Sequence, residues 1–189
     1  MHKKKEKLKT VEAGTQLPSW NDAHLYLIAD GILEVRVGDS KILDFAWKDE
    51  LVLVDGHASL PLNNRLYCKS IVQSSYYEIA IESLQHEASA EITRCLYEYA
   101  SWRSNHLCNR WLSLCTNDAY HEVKYAIEWL MQLPEEVRKQ LSLIGFIINT
   151  SRVSRSHALS IIKALKTGNY IEIRCGCITK ILKALPERY

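Results

Sequence analysis

No apolar run in this 189-residue chain approaches the roughly 18 residues that cross a membrane, which excludes a helical span. The opening MHKKKEKLK is basic, but no apolar stretch follows it, so it does not read as a secretory signal. A solvated tail and a nucleic-acid-contacting arm are the two readings of its charge. Cysteine pairs at C-x2-C spacing are missing, and with them the usual zinc site. The six cysteines (Cys68, Cys95, Cys108, Cys115, Cys175 and Cys177) therefore read as reduced thiols of a cytoplasmic protein. A zinc-protease helix, a nucleophile elbow and a glycine-rich phosphate loop are also lacking. The seven histidines, His2, His24, His57, His86, His106, His121 and His157, are scattered, and Asp55-Gly56-His57 reads as a turn. An enzyme is not expected, nor a metal, nor a cofactor.

What is present is an uneven charge. The formal net charge is only +2, yet the segment from Val137 to Tyr189 carries ten Lys/Arg against Glu172 and Glu187, a local balance of +8. The first 136 residues hold fourteen basic and twenty acidic residues, a balance of −6. A small basic domain joined to an acidic body is the electrostatic footprint of a nucleic-acid binder. Chance segregation on a soluble surface is the competing explanation.

The front third reads as strands. HLYLIADGILEVRV alternates on both sides of Asp30-Gly31, the pattern of a hairpin with a glycine-bearing turn. VGDSKILDFAW repeats the device at Gly38-Asp39, LKTVEAGTQL places Gly14 between two extended pieces, and DELVLVDG and YYEIAI supply further strands. Short strands at short intervals predict a small antiparallel barrel, with a sandwich as the alternative. Residues 83–115 then lack Gly and Pro and repeat apolar positions at three- and four-residue steps. A helix of about 30 residues would run about 45 Å, more than a small barrel covers, so a second copy of the same helix is the economical partner. Cys95, Cys108 and Cys115 fall in this stretch as small core hydrophobes. The expected seam holds Ile92, Leu96, Tyr99, Arg103, His106 and Arg110, and packing wholly within the monomer is the other possibility. Asn117 or Asp118 can cap a following helix that Pro134 ends.

The back third reads as two short helices and a wing. One helix covers Leu141 to Asn149, and a turn follows around Thr150 to Val153. Ser154 caps the next helix, whose Ala158, Ile161, Ile162 and Leu165 form a buried face at 1-4-5-8 spacing. Gly168 can end it in the left-handed conformation, and YIEIRCGCITKI alternates through a glycine turn. In a helix that enters a DNA groove the first turns read bases, and flanking cations hold phosphates. Arg155, Ser156 and Ser160 are then the candidate base contacts, and Ser154, His157, Lys163, Lys166, Arg152 and Arg174 the candidate backbone contacts. Capping alone would also explain a Ser-Arg-Ser start.

The order barrel, long helix, winged helix-turn-helix resembles the Crp/Fnr superfamily of bacterial transcription regulators, from about Lys7 to Ile181. HLYLIADGILEV is similar to the family's barrel hairpin, and VSRSHALSIIKALKTGNYIEI to its recognition helix and entry into the wing. Within the superfamily the resemblance points toward an enterobacterial IprA-like branch. It implies an α+β fold: residues 1–84 as a cyclic-nucleotide-binding-like β-barrel, 85–115 as a long dimerisation helix, and 116–189 as a DNA-binding domain. It also implies a homodimer on double-stranded DNA, with RNA polymerase as a further candidate partner and no membrane. Departures accompany it. LVLVDGHASLPLNNRLYCKSI offers Gly56 and Arg65 but lacks the acidic and hydroxyl partners of a cyclic-nucleotide cassette, and no amino-terminal cysteine cluster suits an iron–sulfur sensor. Ser156 stands where the family usually has an acidic residue, and Ile148 and Arg152 replace small turn residues, so a different DNA sequence is expected.

The expected function is a dimeric, sequence-specific DNA-binding transcription regulator not controlled by cyclic nucleotide. Two alternatives stay open: an interaction adaptor that uses the winged helix and the barrel without specific DNA binding, and a thiol-based redox response through Cys175 and Cys177, one residue apart on the wing.

Overall fold

The computed structural model describes residues 7–17, 24–38, 41–54, 66–80, 89–116 and 118–188. The basic amino terminus (Met1 to Glu6), the loop bearing Gly56, His57 and Arg65, and the approach to the long helix (residues 81–88) lie outside the described residues. The chain divides into two compact units, 1–104 and 105–189.

The first unit is antiparallel throughout. Its strands are β1 (Lys9–Val11), β2 (His24–Asp30), β3 (Ile32–Val37), β4 (Lys41–Trp47), β5 (Leu51–Val54), β6 (Leu66–Ser70) and β7 (Ser74–Ala80). Among the described residues they form two sheets rather than a closed barrel, in the orders β1-β7-β2-β5 and β4-β3-β6. The extended piece after β1 continues onto the second sheet, where Leu17 N donates to Cys68 O at 2.9 Å and Ser70 N to Thr15 O at 2.9 Å. One chain segment therefore borders both sheets. Period-two alternation turns Tyr26, Ile28, Leu33, Val35, Val52 and Tyr76 into a shared core, with the Tyr26 and Tyr76 rings edge to face at 5.3 Å.

The hairpin expected at Asp30-Gly31 is not one. β2 pairs with β5 and β7, and β3 pairs with β4 and β6, so this glycine marks a corner where the chain changes sheets. Gly31 has φ +86°, and a Cβ there would lie 2.2 Å from Ser74 Oγ and 2.7 Å from Ser74 Cα. Ser74 in turn accepts from Ile32 N at 3.2 Å and is buried. Gly31→Ala is accordingly expected to lower stability by about 1–3 kcal/mol, since left-handed strain and a backbone clash add. Urea unfolding of the full chain would read this as a lower midpoint, and an unchanged midpoint would mean that the corner relaxes freely. At Gly38, by contrast, β3 and β4 do pair across the turn, Val37 opposite Lys41.

α1 (Ala90–Leu114) follows. Tyr99 and Arg103 of the expected seam make polar contacts within the chain. Arg103, nearly buried, meets Asp44 at 2.9 Å and Glu50 at 3.3 Å, and Tyr99 bonds both the N–H (3.1 Å) and the carbonyl of Leu51. Tyr99 and Arg103 are thus engaged with the first unit's own sheets. The Cys68 thiol of that core is pushed up to about 12 by burial, with Arg103 acting slightly in the other direction, so Cys68 is an inert core thiol. Cys95 and Cys108, expected in a core, are exposed.

The second unit holds α2 (Ala119–Gln132), α3 (Glu135–Arg138), α4 (Leu143–Thr150), α5 (Arg155–Thr167), β8 (Ile171–Arg174) and β9 (Cys177–Ile181). Asp118 caps α2 by accepting from Tyr120 N at 2.9 Å. α2, α4 and α5 bury Val123, Ile127, Leu130, Phe146, Ile147 and Ile161 against one another. Arg110, at the end of α1, is buried with its guanidinium 3.9 Å from the Trp129 ring centroid and its Nη2 2.7 Å from His106 Nε2. Arg110 therefore belongs to this unit's own packing. Among the described residues no helix is long and apolar enough to cross a membrane.

Candidate nucleic-acid interface

The site grows from the start of α5. Ser154 sits in extended backbone and its Oγ accepts from His157 N at 3.4 Å, the capping bond that fixes where the helix begins. From there Ala158, Ile161, Ile162 and Leu165 are buried on one face, as the 3.6-residue period requires. The opposite face is left to solvent: Ser156, Ser160, Lys163 and Thr167 run along its centre, with Arg155, Leu159 and Lys166 on one flank. His157 is also exposed, on the other flank. All three residues expected to touch bases thus share one exposed side of α5, together with Lys163 and Lys166.

The end of the helix differs from expectation in a way that matters for the wing. Gly168 has φ −76°, and the left-handed residue is Asn169 at φ +56°. Tyr170 N donates to Leu165 O at 2.9 Å and Asn169 N to Lys166 O at 3.0 Å, the double bond pattern of a Schellman cap. Glycine at 168 serves close packing instead, because a Cβ would lie 2.7 Å from the Tyr170 ring.

The turn before α5 is anchored from a distance. The buried Glu122 of α2 accepts from Arg152 N at 3.0 Å, and Ser151 Oγ donates to Ile147 O at 2.8 Å. The Arg152 side chain is exposed, and its guanidinium lies 5.3 Å from the Trp111 ring centroid. Glu122 escaped the sequence reading because its partner stands 30 residues away and no local pattern announces it. Leu159, 47% exposed, was also missed, although it falls outside the buried 1-4-5-8 set and so was visible as an apolar residue on the polar face.

β8 and β9 form the wing. Arg174 pairs opposite Cys177, and Cys175 (φ +50°) and Gly176 (φ +80°) are the two central residues of a type I′ turn. Cys175 is therefore a turn residue, not a strand residue facing the same way as Cys177. Arg174 is exposed and bonds Glu172 at 2.6 Å.

Of the six residues expected at a helix–helix seam, Tyr99, Arg103 and Arg110 point inward as described, Leu96 and His106 are half-buried, and Ile92 is exposed. The outward side of α1 carries Tyr97, Ser101, Ser104, Cys108 and Trp111 at alternating four- and three-residue steps, with Tyr97 73% and Trp111 56% exposed.

A family model described as winged helix-turn-helix DNA binding matches residues 119–187, the span of α2 through β9. The chain is 26% identical over 176 residues to a protein of Salmonella typhimurium named inhibitor of hydrogen peroxide resistance, with 91% of this chain and 83% of that protein covered. A protein of the same name from Escherichia coli K12 is 21% identical, covering 89% and 81%. Among solved structures, FixK2 of Bradyrhizobium japonicum superposes with a TM-score of 0.69 at 15% identity, covering 94% of this chain and 93% of that one. The global regulator CLP of Xanthomonas campestris, described as responsive to c-di-GMP, gives 0.69 at 16% identity and 95% coverage of both chains. A Crp/Fnr family regulator of Thermus thermophilus gives 0.67 at 15% identity and 94% coverage of both.

Proposed function

From a chain with the architecture of a Crp/Fnr-type transcription regulator and a winged helix-turn-helix DNA-binding domain, we propose a dimeric regulator that reads double-stranded DNA with α5. The carrying observation is the exposed side of α5, where Arg155, Ser156 and Ser160 stand clear of the buried face and Ser154 caps the start. Arg155 offers the bidentate donor that suits guanine, and the two serines are short, adaptable donors. Leu159 adds an apolar surface of the kind that meets a thymine methyl. Ser154, His157, Lys163, Lys166, Arg152 and Arg174 are the phosphate contacts in this reading, with the helix amino terminus adding partial positive charge.

Dimerisation uses the outward stripe of α1. Tyr97, Ser101, Ser104, Cys108 and Trp111 keep the heptad rhythm of a two-helix seam, and the small residues between the aromatics let two backbones approach. The stripe through Tyr99, Arg103 and Arg110 keeps the same rhythm but is already occupied within each unit. A second copy is the partner because identical stripes pair about a two-fold axis, which also sets two copies of α5 for a palindromic site. Nothing in this mechanism requires a catalytic group.

Gel retardation on selected genomic fragments tests the reading. Affinity should fall steeply with salt, about 10³-fold or more between 50 and 200 mM if six or more phosphates are contacted. Tyr97→Glu with Trp111→Glu should leave a folded monomer that loses the specific complex. Absence of retardation at low salt would reject DNA binding, and a monomeric parent protein at micromolar concentration would reject the seam.

A further inference from the structure

Between α3 and the wing lies a groove of about 720 Å³ lined by Cys175 and Cys177 together with four cations, Arg138, Lys139, Arg174 and Lys180. Its two carboxylates are both paired, Glu135 with Lys139 at 2.8 Å and Glu172 with Arg174 at 2.6 Å. The balance of the lining is therefore positive. Consistent with that field, the Glu135 carboxyl is held below its ordinary range, mainly by the hydrogen bond and charge of Lys139, with Arg138 and Lys180 adding to the effect.

The two thiols are not equivalent. Cys177 is half-buried, and its single S–H can donate to Lys139 O at 3.5 Å or, at 3.9 Å, to Cys175 O. Cys175 is exposed at the apex of the wing, in a left-handed position where Asn or Gly is the usual choice and cysteine brings no conformational advantage. A disulfide between them would close a small strained ring through Gly176 alone, so a partner from solution suits Cys175 better than its neighbour does.

We propose that Cys175 is a modification site that forms a mixed disulfide with an anionic low-molecular-weight disulfide, whose carboxylates the groove's cations draw in. The Cys175 thiolate attacks one sulfur of that disulfide and the bond between its two sulfurs breaks. A new bond joins Cys175 to the attacked half. The other half leaves as a thiolate and takes up the proton that Cys175 gave up. The small-molecule disulfide is the oxidant, and a free thiol reverses the step. Where the DNA-binding reading holds, on which this consequence rests, the adduct sets extra negative charge beside Arg174 and lowers duplex affinity about tenfold.

The test uses the full-length reduced protein with oxidised glutathione as the anionic probe and bis(2-hydroxyethyl) disulfide as the uncharged one. Adducts are located by peptide mass over time. Cys175 should react with oxidised glutathione about tenfold faster than the exposed Cys95, through electrostatic steering. That preference should shrink with the uncharged disulfide and in Lys180→Gln, and Cys175→Ser should carry no adduct on the wing. Equal rates at Cys175 and Cys95, or a preference that the uncharged probe shares, would overturn the site. If the adduct forms with this charge preference while duplex affinity stays unchanged, the site stands and its link to DNA falls. A parent protein that never retards duplex would reject the DNA reading alone, since the labelling rates are measured without DNA.

Discussion

Arg155→Ala is expected to weaken binding to a selected operator by about 1–3 kcal/mol, roughly ten- to a hundredfold, while binding to random duplex stays nearly constant. Arg155 is the first residue of α5, exposed, with no salt bridge among the described residues, so the substitution leaves no buried group unsatisfied. The fold should therefore be untouched and the loss should fall on recognition. Lys166, in the last turn on the same flank, makes the contrast. Removing it should weaken all duplexes alike and reduce the salt slope by about one, the signature of a phosphate contact. The pair of variants separates readout from charge within one helix. Equal losses on operator and random duplex for Arg155→Ala would reject base contact by that residue.

The helix α5 was legible because its signals are local. A capping serine, a 1-4-5-8 apolar set and the basic residues between them all lie within one short segment, and each maps onto one face by the helical period alone. The corner at Gly31 was misread because alternation around Asp-Gly announces a turn but not whether the flanking strands pair. The partners lie far along the chain, β2 pairing with β5 and β7 and β3 with β4 and β6, and Ser74, more than forty residues on, packs against the corner. The two stripes of α1 were hard to tell apart for a related reason. Arg103 and Arg110 fall on the stripe expected to pair two helices, yet Arg103 is enclosed because Asp44 and Glu50 reach it from the sheet region, and Arg110 because Trp129 covers it. Sequence distance hides such partners, and two heptad stripes on one helix cannot be ranked until the partners are known. The wing was recovered as a hairpin, and only the type I′ turn separates the environments of its two thiols.

The largest effect on the protein as a whole is expected from Phe146→Ala. Phe146 is 2% exposed and its ring meets Trp129 edge-on at 5.0 Å, so it ties α4 to α2 inside the second unit. Truncating a buried phenylalanine removes its transfer free energy and leaves a cavity, about 3–5 kcal/mol together. Small domains hold about 5–15 kcal/mol in total, so a large share of the unit's stability would go. Because α5 rests on the same core through Ile161 and Leu165, DNA affinity should fall on operator and random duplex alike, unlike the selective loss in Arg155→Ala. Far-UV circular dichroism through a urea titration of the full chain should show the second unit melting at a lower midpoint. Phe146→Leu, which keeps most of the volume, should recover the greater part of that shift. An unchanged midpoint in Phe146→Ala would mean that α4 is held by contacts other than the edge-on Trp129 ring, and the support for α5 would have to come from β8 and β9 instead.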